Sequence, residues 1–332
     1  MADVMNRDPA SNDGRRDRGQ LILVTGLAVA VTMVALVLLL NTVIYTQNLA
    51  TRGAEIEDSE AISFRQEAIE GVGEVVDAEN REEYDNHTLV RQNITDGITR
   101  FDGLASRYRA ERGTIADVNE STVSYTDGTL LRQTNASRDF TSAGNDAAVD
   151  WTLVEDASAG DGPGIRGFSL TVSRENLSDS KSSAFAVHAD DGTDEWQARI
   201  YDDGGAITVA VKNGSESEVD SVCSVTGPEA TVDLTAGTIN GTRCSGLVWA
   251  NGVATPYNVE FDNAGEVTGT YALTVDTSAA ETDVQTSNFA GPEDGESPHW
   301  IPAVYAAEFE IRFETPNVAF DTTVRTAPGE PE

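Results

Sequence analysis

The sequence predicts an α+β protein: an N-terminal transmembrane helix and helical stalk, followed by a mainly antiparallel β-sandwich-like head. Three observations predict it. Residues 21–44 are almost wholly apolar, inside a stretch (19–51) with no charged residue. Apolar residues then recur at helical spacing as far as Tyr108. From about Thr114 onward that pattern gives way to short alternating runs separated by Gly, Asp and Asn. The boundaries that follow are a cytoplasmic tail over 1–18, a membrane helix over 19–45, a stalk and amphipathic helix over 46–112, and an extracytoplasmic β-rich head over 113–332.

The membrane helix is read from LILVTGLAVAVTMVALVLLLNTVI, residues 21–44. At about 1.5 Å per residue this makes roughly 36 Å of helix, enough to cross a hydrocarbon core of ~30 Å. Arg7, Arg15, Arg16 and Arg18 precede the run, against Arg52 and Arg65 in a similar window after it. The bias in basic residues places the N-terminus in the cytoplasm and the C-terminal domain outside. A single-pass protein of the cell membrane, with the lipid bilayer as partner, is therefore expected. Seven N-x-S/T sequons, at Asn86, Asn93, Asn119, Asn135, Asn176, Asn213 and Asn240, all follow the span and are candidate glycosylation sites. Cys223 and Cys244 are the two cysteines. In a domain outside the cell they read as one disulfide, with two free buried thiols as the alternative.

Beyond the span, Ile62, Ile69 and Val76 recur every seven residues, with Val72 on the same side. That stripe predicts a stalk, although Gly71 and Gly73 interrupt it. Ile94, Ile98, Phe101, Leu104 and Tyr108 mark one face of a second, amphipathic helix that ends by Gly113. In the head, Val123 and Tyr125, then Leu130 and Leu131, flank Asp127-Gly128 and predict a hairpin there. A clearer hairpin is 196–201 and 207–211 around Asp202-Asp203-Gly204-Gly205. Further strands are expected at 168–172, 230–234, 257–261, 269–275, 307–313 and 320–324.

Composition bounds the function. The chain has 332 residues and a formal net charge of −34, yet 39% of it is hydrophobic, which favours a folded chain over a disordered one. Of 22 basic residues, the lysines are Lys181 and Lys212. An acidic, lysine-poor surface suits molar salt, where the screening length falls to about 3 Å. The same charge excludes nucleic acid as a partner, because phosphate recognition needs basic patches.

The hydrophobic N-terminal helix, stalk and β head together resemble a type IV pilin. Arg18-Gly19-Gln20 adds to the resemblance, which implies leader cleavage between Gly19 and Gln20. Ile22 and Val24 depart from the pattern, which favours Ser and Glu at those places. More closely, RGQLILVTGLAVAVTMVALVLLLNTVIYTQNLATRG, residues 18–53, looks like the N-terminus of a haloarchaeal family of membrane-anchored surface proteins of unassigned function. That resemblance covers about a tenth of the chain. It implies pilin-like or surface-apparatus proteins as partners.

Catalytic motifs do not emerge. Gly162-x-Gly164-x-x-Gly167 satisfies a dinucleotide spacing, but a strand rather than a helix is expected after it. His87, His188 and His299 are far apart in sequence, and neither G-x-S-x-G nor H-E-x-x-H occurs. The acidic run 190–195 lacks the spacing of a calcium loop and reads as a solvated turn. No enzyme, no metal site and no cofactor is therefore expected. The leading expectation is a membrane-anchored structural or assembly subunit of a pilin-like surface apparatus in an extreme halophile. The alternative is a tethered extracellular module binding a solute, sugar or protein, with Trp196, Trp249 and Trp300 marking where a groove would lie.

Overall fold

The computed structural model describes residues 13–144, 147–158, 163–215, 221–291 and 297–331, with side chains described from residue 25 onward except 40–58, 221 and 222. The chain forms two compact units, 1–62 and 63–332. Helix α1 (Asp13–Asn80) contributes to both. In the first unit, residues 25–39 are helical and exposed on every side, with Leu27, Met33 and Leu39 all 67–68% accessible.

The second unit contains the end of α1, helix α2 (His87–Ala110) and the strands. These are β1 (Ile115–Gln133), β2 (Trp151–Ala157), β3 (Ile165–Ser173), β4 (Phe185–Asp190), β5 (Glu195–Asp202), β6 (Ala206–Lys212), β7 (Ser221–Thr226) and β8 (Glu229–Asp233). After them come β9 (Thr238–Ile239), β10 (Thr242–Arg243), β11 (Tyr257–Asp262), β12 (Thr268–Asp276), β13 (Asp283–Val284), β14 (His299–Glu314) and β15 (Ala319–Thr326). An eight-stranded sheet runs β10-β9-β8-β3-β12-β1-β14-β15, and a seven-stranded sheet runs β13-β2-β11-β4-β5-β6-β7. Their inner faces meet in an apolar core to which strands such as β3, β4, β6 and β11 supply every second residue. Phe140, Phe261 and Tyr271 interlock there, with ring centroids 5.0–6.0 Å apart.

A second apolar layer covers β1, β14 and β15 on the face turned away from that core. Phe64, Ala68, Val72 and Val76 of α1 recur every four residues and are buried. Val90, Ile94 and Ile98 do the same on α2, which packs along β1 and β14. Phe64 meets Phe313 with centroids 5.9 Å apart, and Phe313 stacks on Phe320. Burying each such side chain contributes about 1.5–3 kcal/mol. The two helices approach closely at two glycines: a Cβ at Gly71 would overlap the Phe101 ring, and one at Gly97 would overlap Val75.

Several expectations are corrected. The dominant architecture is antiparallel β in two sheets, not an α+β chain led by a transmembrane helix. Among the described residues no helix is long and apolar enough to cross a membrane. The membrane, single-pass and cytoplasm-to-outside readings built on that span are corrected with it. Asp127-Gly128 is not a turn either, because β1 runs straight through it. Gly128 is there because Val275 O and Tyr305 leave no room for a Cβ, while Asp127 pairs with Arg91 of α2. The helical stripes hold at Val72, Val76, Ile94 and Ile98, which are buried, but not at Ile62 or at Leu104 and Tyr108 at the far end of α2, which are exposed.

Candidate functional site

The residues singled out in the sequence do not converge on one place. Cys223 on β7 and Cys244 after β10 form a disulfide with Cα atoms 6.0 Å apart. β7 and β10 are edge strands of different sheets, so the bond ties the two layers along one side. Gly19 and Gln20 fall within the bounds of α1, but their surroundings lie outside the described residues, as does the tail up to residue 12. Asn86, Asn135, Asn176 and Asn240 are exposed, whereas Asn93, Asn119 and Asn213 are half-buried. Two side-chain nitrogens are already engaged: Asn93 Nδ2 donates to Leu89 O, and Asn176 Nδ2 to Thr268 Oγ1. Asn86 instead caps α2, accepting from Leu89 N. Trp196 and Trp249 pack against each other in the core, 5.0 Å apart, and Trp300 is half-buried against it. No groove is lined by the three together among the described residues.

The acidic loop 190–195 folds on itself. Asp191 accepts backbone N–H bonds from Thr193, Asp194 and Ala254, and these hold its carboxyl below the usual range. Gly164 and Gly167 both have positive φ, and β3 follows the first of them directly, which is not phosphate-binding geometry. Among the described residues no group of three or more His, Cys, Asp or Glu could hold a metal ion.

Two polar clusters do form, one on each sheet, on faces turned away from the core. On the seven-stranded sheet, His188 of β4 faces Gln197 and Glu195 of β5 and Asp262 of β11. Arg199 Nε donates to Gln197 Oε1 at 2.7 Å, which leaves Gln197 Nε2 to donate to His188 Nε2 at 2.7 Å. The imidazole lies between two carboxylates, with Nδ1 2.6 Å from Glu195 Oε1 and Nε2 3.1 Å from Asp262 Oδ2. Glu195 Oε2 also accepts from Lys212 Nζ at 2.9 Å. Burial pushes Glu195 up, but the bonds from Lys212 and His188 outweigh it and leave the carboxyl below its ordinary value.

On the eight-stranded sheet, the register between β1 and β14 slips after Thr126, leaving Tyr305 as the extra residue of a bulge. Asn80, the last residue of α1, pairs with both polar groups of Val304 at 2.8 Å. Arg166 of β3, 2% exposed, donates to Val304 O, to Asp77 Oδ1 at 3.0 Å and to Pro328 O. Burial pulls its guanidinium below the ordinary value, partly offset by Asp77. Tyr305 donates to Glu330, which also accepts both terminal nitrogens of Arg325. This knot closes one side of a cavity of about 630 Å³ whose floor carries Ser169, Thr171, Thr270 and Thr274. Sequence reasoning missed it. The available signal was Arg166 itself, a charge inside the alternating run of β3.

A two-sheet antiparallel β protein with a helical outer layer and an exposed apolar helical run is the class that fold and site define. Residues 15–158 match the model of a family of unknown function, DUF7261. The matched stretch takes in most of α1, all of α2, and β1 and β2. No curated protein and no solved structure matches the chain.

Proposed function

We propose that this chain is a structural or assembly subunit of a pilin-like surface apparatus in an extreme halophile. The carrying observation is the helical run 25–39, where Leu27, Met33, Val34, Leu36, Val37 and Leu39 are all exposed. Apolar side chains around a whole helix need covering, and the same run in further copies would cover them by lateral packing. The resemblance of residues 18–53 to haloarchaeal pilin-like surface proteins and the charge of −34 support the same reading. Light scattering and electron microscopy of the full chain in molar salt test it. Regular oligomers or filaments are expected, with Leu36→Asp reducing them; a monomeric wild-type chain or shapeless aggregate would overturn the reading. Peptide mapping of protein from the native host should also find the mature chain starting at Gln20.

A second reading, a binding module for a solute or sugar, draws on the hydroxyl-lined cavity beside Arg166. Thermal shift against a panel of neutral sugars in molar salt tests it. A ligand-dependent rise abolished by Thr270→Val is the expected result, and no shift with any sugar counts against it.

A further inference from the structure

We infer that β15 is a pairing edge for a second copy of this chain, joining two eight-stranded sheets into one. The inference rests on the assembly reading for its expectation that copies meet, and it adds a second contact, made by the head. β15 ends its sheet, and among the described residues no strand pairs with its outward side, where Thr323 O accepts a hydrogen bond from Thr322 Oγ1. At eight residues it is the longest described edge strand; β10 and β13 have two residues each and β7 has six. A long unpaired edge is a ready template for another strand.

The side chains make that edge complementary to itself. Ala319, Asp321, Thr323 and Arg325 are exposed on one face of the strand. Two antiparallel copies centred on Thr323 would place each Asp321 opposite the partner's Arg325, an opposite-charge cross-strand pair formed twice. Asp321 is 78% exposed; Arg325, 42% exposed, already gives both terminal nitrogens to Glu330 of its own chain, so the cross-strand pair would share that guanidinium. The other face fits as well. Thr326 points at Gly73 of α1, beside a groove of about 570 Å³ lined by Ile69, Gly73, Thr326 and Pro328. The same register sets the partner's half-buried Phe320 opposite Thr326, at the mouth of that groove. Acidic heads repel one another at low ionic strength, and molar salt removes that barrier by shortening the screening length to about 3 Å.

The test uses the full chain in molar salt. Cys223 and Cys244 are paired, so a cysteine added on β15 supplies the free thiol. In the proposed register the two Thr323 Cβ atoms lie about 4.5–5.5 Å apart, whereas the two Asp321 positions are about 13 Å apart. Under mild oxidation, Thr323→Cys should give a covalent dimer and Asp321→Cys should not. Asp321→Arg and Arg325→Asp should each weaken dimerisation on the order of tenfold, and the two combined should restore it. A monomeric Thr323→Cys, equal cross-linking of both cysteine variants, or no rescue by the charge swap would overturn the pairing. Larger assemblies that persist while Thr323→Cys stays monomeric would overturn the edge and leave the assembly reading standing. A wild-type chain with no assembly beyond an edge-linked dimer would do the reverse.

Discussion

On the eight-stranded sheet, Arg166 and its partners lie beneath the end of α1 and the C-terminal segment. On the seven-stranded sheet, His188 and Gln197 are also buried, but no helix covers them and the flanking Glu195 and Asp262 are roughly 40% exposed. The chemical inventory is similar: a cation or imidazole, carboxylates and an amide, all at hydrogen-bond distance. What differs is the cover. Buried charge that loses its partner leaves a cost that water cannot repay, whereas an open cluster can exchange each lost bond for one to solvent. The first cluster therefore ties α1 and the C-terminal segment to their sheet, and the second links neighbouring strands of one sheet.

Arg166→Ala tests the contrast most severely. It leaves Val304 O and Pro328 O short of a donor and Asp77, about one-third exposed, without its partner; discounted for the water that still reaches Asp77, the expected loss is about 3–4 kcal/mol, read by denaturant unfolding in molar salt. Replacing Arg166 by Met and Asp77 by Leu together should cost much less, since no charge is then left alone. The disulfide sets a scale between the two clusters. Cys223→Ala with Cys244→Ala should lower stability by roughly 3 kcal/mol through loop closure alone, seen as a lower midpoint with the fold intact.

Acid should separate wild type from a Glu330 variant. Burial raises the Glu330 carboxyl, but Arg325 and Tyr305 outweigh it, so its folded value lies below the ordinary glutamate range. A depressed folded value contributes stability that is complete above about pH 4.3 and lost as pH falls through the folded value. Glu330→Gln should therefore be less stable near neutrality and lose less on acidification, measured as unfolding midpoint against pH. The smallest effect is expected at His188→Gln, whose loss should be well below that of Arg166→Ala because water reaches Glu195 and Asp262 once the imidazole is gone. A loss as large as that of Arg166→Ala would remove the distinction between the two faces.

The sequence was most readable where one face of a strand is buried and the other is not. The runs at 168–172, 257–261 and 269–275 fall inside β3, β11 and β12, and Asp202-Asp203-Gly204-Gly205 joins β5 to β6. Asp127-Gly128 misled because glycine serves close approach as well as turns, and nothing local distinguishes the two uses. The α1 stripe held at Val72 and Val76 but failed at Ile62 for a related reason. Ile62 and Ile69 are the more hydrophobic choices, yet Phe64, Ala68, Val72 and Val76 are buried because α2 and β14 lie on that side. The knot around Arg166 was out of reach, since it joins residues 77, 80, 166, 304 and 328, which meet only after the sheets have formed.

The order of strands also sets a schedule. β1 is the first strand made, and along most of its length its partner is β14, so that Ile115 waits for Glu314 and Ala116 for Phe313. Until His299 and the residues after it have been synthesised, α1 and α2 have no completed surface to lie on, and Phe64 lacks the ring it packs against. Contacts this distant in sequence form slowly, and apolar faces left open meanwhile invite wrong partners. The last segment of the chain is thus the one that closes the first, and a polypeptide stopped short of β14 would keep its helices but have nowhere to put them.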